Sequence, residues 1–162
     1  MTVITTLLQV VALVVVVGGV AKLVRPEPFS ELLATLGLPG REAAARAAGV
    51  VEVALGLAAF VTGARWAAAL LAVAYVVFAA TVVLARRNGA ASCGCFGAAD
   101  APPSGVHVAT NLVSAAVAGA AAVVGTESLG ASLADQPAAG VPYLVALGVA
   151  AYFVVRINLR RS

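Results

Sequence analysis

Apolar residues along this chain fall in long unbroken runs, not in the alternating or narrow-striped patterns of a water-soluble domain. A helix needs about 20 apolar residues to cross a hydrocarbon core roughly 30 Å thick. Four runs meet that requirement: Val3–Val24, Ala43–Val61, Trp66–Leu84 and Val106–Val124. A fifth, Val141–Val155, is shorter and extends to Leu159 if Arg156 snorkels to the interface. Tyr143 and Tyr152 stand near its ends, as interfacial aromatics do. The first run lacks a basic leader and a convincing A-x-A cleavage site before Lys22, and it exceeds the usual apolar length of a signal peptide. It therefore reads as a retained helix.

The connections differ in kind. Arg25, Pro26 and Pro28 stop the first helix. Phe29, Leu32, Leu33 and Leu36 then recur at i, i+3, i+4 and i+7, which predicts a short amphipathic helix in the interface, ended by Gly37, Pro39 and Gly40. Thr62–Arg65 is a tight turn. Ala85–Gly105 is a long loop carrying both cysteines, and Gly125–Gly140 is a small, polar, acidic loop. The expected architecture is an all-α integral membrane protein. Residues 1–124 form a four-helix transmembrane bundle with the cysteine loop at 85–105, residues 125–140 an acidic outer loop, and 141–162 a fifth transmembrane helix with a basic tail.

Composition agrees. Of 162 residues, 62% are hydrophobic and 10% charged, with a mean hydropathy of +1.05, against roughly 45–50% and about 25% for soluble chains. Soluble enzymes, disordered tails and collagen-like repeats are excluded. The net charge of +3 is not a nucleic-acid footprint, because the basic residues sit at the ends of apolar runs and form no water-facing patch. Their partition is informative instead. With alternating crossings, nine basic residues fall on the face that follows spans one, three and five, and only Arg65 falls on the other. The positive-inside rule then places the N-terminus outside the plasma (inner) membrane, and the cysteine loop and C-terminus in the cytoplasm.

Lipid provides no hydrophobic force between helices, so close backbone contact and polar side chains must hold such a bundle. Gly49, Gly56 and Gly63 recur every seven residues, with Glu52 on the same face. His107, Thr110, Asn111 and Ser114 form a polar stripe that should face inward. Glu52 lies nine residues beyond Ala43, roughly 13 Å deep at about 1.5 Å per residue. Its nearest cation is Lys22. The pair reads either as a structural ion pair or as a proton-handling group beside a site.

Ser92-Cys93-Gly94-Cys95-Phe96-Gly97 carries the candidate chemistry. Two thiols one residue apart can close a small, strained disulfide if Gly94 bends the backbone, and strained disulfides are oxidising. Arg86, Arg87 and His107 lie close in sequence, and cations favour the thiolate. The alternatives are two buried small hydrophobes or a soft-metal site with His107. Topology alone brings Lys22, Glu52, the cysteine loop, His107 and Asn111 to one third of the bundle. There His107 serves as a proton acceptor oriented by Asn111, or simply caps its helix.

Gly19-Val20-Ala21-Lys22, Phe29, Leu36-Gly37-Leu38-Pro39 and Gly49-Val50-Val51-Glu52 with Gly56 resemble the DoxX-like membrane superfamily. Cys93-Gly94-Cys95-Phe96-Gly97 with His107 and Asn111 is similar to its MauE branch of methylamine utilisation proteins. The likeness spans about Val3–Val124. It implies a redox-associated four-helix core that supports the maturation of a client enzyme, working with a thioredoxin-like partner and membrane lipid, and no nucleic acid. Methylamine itself is not implied, since such proteins occur apart from that pathway. The site residues then become Cys93 and Cys95 as the redox pair and His107 as the base, with Glu52, Lys22 and Asn111 in support. No metal is expected. A quinone is a candidate electron acceptor by analogy with other four-helix disulfide-forming membrane enzymes, although the sequence bears no quinone signature. A non-catalytic assembly subunit and a metal or small-solute carrier are the rival readings.

Overall fold

The computed structural model describes residues 3–38, 41–95, 102–136 and 140–160. Among these residues the chain forms seven helices and no strand: α1 (Val3–Val24), α2 (Glu27–Thr35), α3 (Glu42–Thr62), α4 (Arg65–Arg87), α5 (Gly105–Val124), α6 (Leu129–Ala134) and α7 (Val141–Arg160). Five of them, all except α2 and α6, are long and apolar enough to cross a bilayer. The chain is thus an all-α, multi-pass membrane protein. Pro39, Gly40, Phe96 and Gly97 of the motifs above lie outside the described residues.

Two helix pairs organise the bundle. α1 packs most extensively on α3, and α4 on α5, while α3 and α4 touch far less. The first pair is set by glycine. A Cβ at Gly49 would stand 2.7 Å from the Gly19 carbonyl oxygen, and one at Gly56 would stand 2.8 Å from that of Ala12 and 2.6 Å from Val16. Only hydrogen fits there, so the two backbones approach closely, as small residues allow inside lipid. Gly63 has a different task. It ends α3 in the left-handed region (φ 61°) and gives the tight turn into α4. The second pair is lined by small residues as well, with Ala68, Ala79 and Ala85 buried on α4 and Ser114, Ala118 and Ala121 on α5.

The apolar core lies toward the end of the bundle remote from the cysteine loop, where Leu8, Ala12, Val15, Ala59, Ala68, Leu71, Ala118 and Ala121 interlock. Tyr75 bounds it, donating its hydroxyl to the Val11 carbonyl at 2.6 Å. Beyond Tyr75, toward the cysteine loop, the two pairs enclose a cavity.

Three expectations change. The loop at Gly125–Gly140 contains a short helix, α6, which Ser128 caps by accepting from the Ala131 N–H. Tyr143 is no interfacial anchor: it is buried, and its hydroxyl bonds to Gln9 Oε1 of α1. α7 runs through Arg156 past Leu159 to Arg160, the longer of the two expected extents, so it is the place of Tyr152 that changes: it lies mid-helix, exposed, with the Arg156 guanidinium 5.7 Å from its ring centre. The amphipathic segment forms as α2. It packs on α3 and buries Leu32.

Candidate functional site

The cavity measures about 230 Å³ and is lined from every long helix and from the cysteine loop. α1 contributes Val14, Val15, Gly18 and Lys22. Phe29 comes from α2, Ala48 and Glu52 from α3, and Tyr75, Val77, Phe78 and Thr81 from α4. Cys93 and Cys95 close the loop side, α5 adds His107, Thr110 and Asn111, and α7 adds Asn158. All six site residues anticipated from sequence therefore line one space.

An ion pair joins α1 to α3 here. Lys22 Nζ donates to Glu52 Oε2 at 2.9 Å, and both side chains are under one-tenth exposed. Neither group is surrounded by water, so each charge depends on the other for compensation. The ammonium also lies 5.1 Å from the Phe29 ring centre and 6.0 Å from that of Phe78, where the negative ring faces add cation–π attraction. Its further contact is the Cys95 carbonyl at 3.4 Å. Lys22 thus ties the cysteine hairpin to the ion pair.

The hairpin is shaped locally. Ser92 Oγ accepts from the Gly94 N–H at 3.0 Å, a serine turn that folds the backbone over one residue. Gly94 adopts φ 64°, and a Cβ on it would stand 2.6 Å from Phe29 Cα, so this backbone lies directly on the start of α2. Both cysteines are thiols in this structure. The Cys95 thiol points at the Cys93 carbonyl, 3.6 Å away. Cys93 is 1% exposed and Cys95 half-buried. Arg86 and Arg87 are exposed and do not line the cavity; Lys22 is the cation that reaches the hairpin.

His107 occupies the third position of α5. Its Nδ1 accepts from the Ser104 N–H at 3.2 Å and lies 2.9 Å from Ser104 Oγ, a reciprocal capping box that begins the helix where the cysteine connection ends. The ring is 3% exposed and lines the cavity beside Asn158 of α7. Of the polar stripe, Ser114 is buried, while Thr110 and Asn111 are half-buried on the cavity wall.

Sequence reading missed Tyr75, Phe78 and Asn158. Tyr75 and Asn158 were findable, being polar groups inside apolar runs, which must face the protein interior. Phe78 carried no such mark. Among the described residues no three His, Cys, Asp or Glu side chains converge as a metal-binding set.

This geometry defines a class: a multi-pass helical membrane protein with a dithiol hairpin over a buried cavity that holds an ion pair and an imidazole. Residues 1–126 match the family described as methylamine utilisation protein MauE, and the chain belongs to that family of membrane proteins associated with methylamine utilisation. Comparison with curated proteins and with solved structures returns no match.

Proposed function

We propose that the protein is a membrane thiol–disulfide exchange factor that supports the maturation of a partner enzyme. Cys93 and Cys95 exchange with a disulfide of a thioredoxin-like partner or of the client. One thiolate attacks a partner sulfur and forms a mixed disulfide. The second then displaces it, leaving a Cys93–Cys95 disulfide and two thiols on the partner. Two electrons and two protons pass to the partner, and the reverse direction balances equally. His107 is the base that takes the attacking thiol's proton. Lys22 supplies the positive charge that favours a thiolate, Glu52 compensates Lys22, and Asn111 lines the approach. The observation that supports this reading is the convergence of both sulfurs, the Lys22–Glu52 pair and the His107 ring on one cavity.

We place the cysteine-loop end in the cytoplasm, on the nine-to-one partition of basic residues. Disulfide formation in bacteria belongs to the outer compartment, so on that side the hairpin exchanges electrons with a cytosolic thioredoxin-like protein. Thiol trapping tests both halves of the proposal. Cys93→Ser or Cys95→Ser should accumulate a mixed disulfide with a partner, and Cys95 should resist a membrane-impermeant reagent in intact cells. If neither variant traps a partner and both retain function, the exchange role fails.

One observation favours a second reading. The near-complete burial of Cys93 suits an assembly subunit whose cysteines only pack. In that case Cys93→Ala/Cys95→Ala is silent, whereas Gly56→Leu is disruptive.

A further inference from the structure

The cavity reaches the side of the bundle as well as the hairpin. Val77 lines it, yet the same side chain is 54% exposed, in a row with Leu70 and Val73 along α4. Val77 stands twelve residues after Arg65 and ten before Arg87, about 18 Å and about 15 Å at roughly 1.5 Å per residue. It therefore lies near the middle of a hydrocarbon core about 30 Å thick. Ala48 and Glu52 line the cavity from α3. α3 and α4 are joined at the far end by the turn at Gly63 and otherwise touch little. A gap between them at this depth faces acyl chains, not water, so what enters by it must dissolve in the bilayer.

The lining defines what fits. A dry apolar cavity of about 150 Å³ takes up one benzene, so about 230 Å³ holds a substituted or fused ring. Phe29, Tyr75 and Phe78 supply aromatic walls, the last two meeting edge to face at 5.7 Å between ring centres, and a ring packs on such walls with more than its buried area alone. Lys22 and Glu52 are the only Lys, Arg, Asp or Glu among the described lining residues, and they neutralise each other at 2.9 Å. An ionised ligand would leave a buried charge uncompensated. Polar contacts remain for a neutral one. The Thr81 hydroxyl and the Asn158 Nδ2 each donate to a carbonyl of their own helix, Val77 at 2.9 Å and Val154 at 2.8 Å, which leaves their side-chain oxygens as acceptors. The Asn111 amide adds both a donor and an acceptor.

We infer that the cavity is a side-entry binding site for an uncharged, bilayer-dissolved ring compound with oxygens on the ring, the chemistry that quinones and quinols share, and that the gap between α3 and α4 beside Val77 is its entrance. Binding does not require the exchange role proposed above; the ligand's use rests on it. When the hairpin oxidises its partner, a quinone takes the two electrons and two protons released as the Cys93 and Cys95 thiols close their disulfide, and it leaves as the quinol.

Duroquinone is the probe, because its fully methylated ring has no open position for thiol addition. The tritiated compound should bind saturably to the full-length protein in phosphatidylcholine nanodiscs. Durene, the same methylated ring without oxygens, should compete about tenfold less well, the worth of a good hydrogen bond. Val77→Trp sets a bulky ring in the entrance and should weaken binding at least about tenfold, as should Ala48→Phe from the α3 side. Val73→Trp, one turn away on the same exposed row, should leave it unchanged. Absence of saturable binding, durene equal to duroquinone, or Val77→Trp no different from Val73→Trp overturns the site. Reduced protein should turn bound duroquinone into its quinol, while Cys93→Ala/Cys95→Ala binds without reducing it; binding with no reduction by either removes the electron step and keeps the site. Saturable binding with no trapped partner sinks the exchange role alone, and a trapped partner without binding sinks the site alone.

Discussion

Removing one member of the Lys22–Glu52 pair should cost far more than removing both. The ions are 2.9 Å apart and 6% and 8% exposed. At an effective dielectric of about 20 their attraction is on the order of 6 kcal/mol, set against a desolvation penalty of several kcal/mol for each ion. The pair as a whole is therefore close to neutral for stability. Either ion left alone keeps its penalty and loses the attraction, which destabilises buried pairs by about 3–5 kcal/mol. Lys22→Met and Glu52→Gln should each lower stability by that amount, and Lys22→Met/Glu52→Gln should return to within about 1–2 kcal/mol of the parent.

Reversible unfolding in mixed micelles, followed by the fluorescence of the lone Trp66, gives the full cycle. Function should not recover in step. Lys22 also holds the Cys95 carbonyl at 3.4 Å, so the double variant regains its fold while the hairpin loses its tie, and Cys95 alkylation should accelerate. Single variants that each cost under about 1 kcal/mol, or a double variant as unstable as the worse single one, refute the account of the pair as two mutually dependent buried charges.

Three further outcomes follow from particular contacts. Gly56→Leu drives a side chain into the Ala12 backbone and Val16 of α1 and should cost roughly 3 kcal/mol or more, or prevent accumulation in the membrane, whereas Gly119→Leu, with nothing within 4 Å of its Cβ position, should unfold like the parent. Gly94→Ala meets both a left-handed φ of 64° and the Phe29 backbone, so it should displace the hairpin and expose both thiols while circular dichroism shows helix content unchanged. Peptide mass spectrometry after brief alkylation should find Cys95 modified at least about tenfold before Cys93, since only Cys95 is appreciably exposed; equal rates would mean that the hairpin opens readily.

The membrane fold was legible because lipid imposes few solutions. Unbroken apolar runs must be helices with every backbone group bonded internally, and Arg25, Gly63 and the cysteine loop mark where they stop. The glycine face was legible for the same reason: a seven-residue repeat of Gly49, Gly56 and Gly63 has little other use between lipid-facing neighbours. Gly63 departs from it by turning the chain at the end of α3 instead of packing along it. The convergence of Lys22, Glu52, Cys93, Cys95, His107 and Asn111 required only a count of crossings. Partners within that set were harder to read. Which cation meets the hairpin depends on side-chain reach, and Lys22 does so from the end of α1, whereas sequence proximity favoured Arg86 and Arg87. Asn158 joins His107 on the cavity wall from an element 51 positions away, and nothing periodic in either segment announces it.

Why the cavity occurs where it does follows from how the helices are joined. Glycine contacts bind α1 to α3 and small residues bind α4 to α5, but little binds α3 to α4. At the end remote from the hairpin the gap between pairs is filled by Leu8, Leu71 and alanines, and Tyr75 bonds across it to Val11. At the hairpin end Val14, Val77 and Phe78 are instead interspersed with Gly18, Lys22, Glu52, Thr81, Asn111 and His107. Small and polar groups cannot close that gap by apolar packing, and inside lipid they cannot face outward without leaving polar atoms unsatisfied. The same substitutions that supply the charged and titratable groups therefore hold the two pairs apart. Filling the space with an apolar side chain, for example through Gly18→Leu, should tighten the bundle and abolish thiol exchange together. A variant that gains stability while retaining exchange would show that the chemistry does not depend on the cavity.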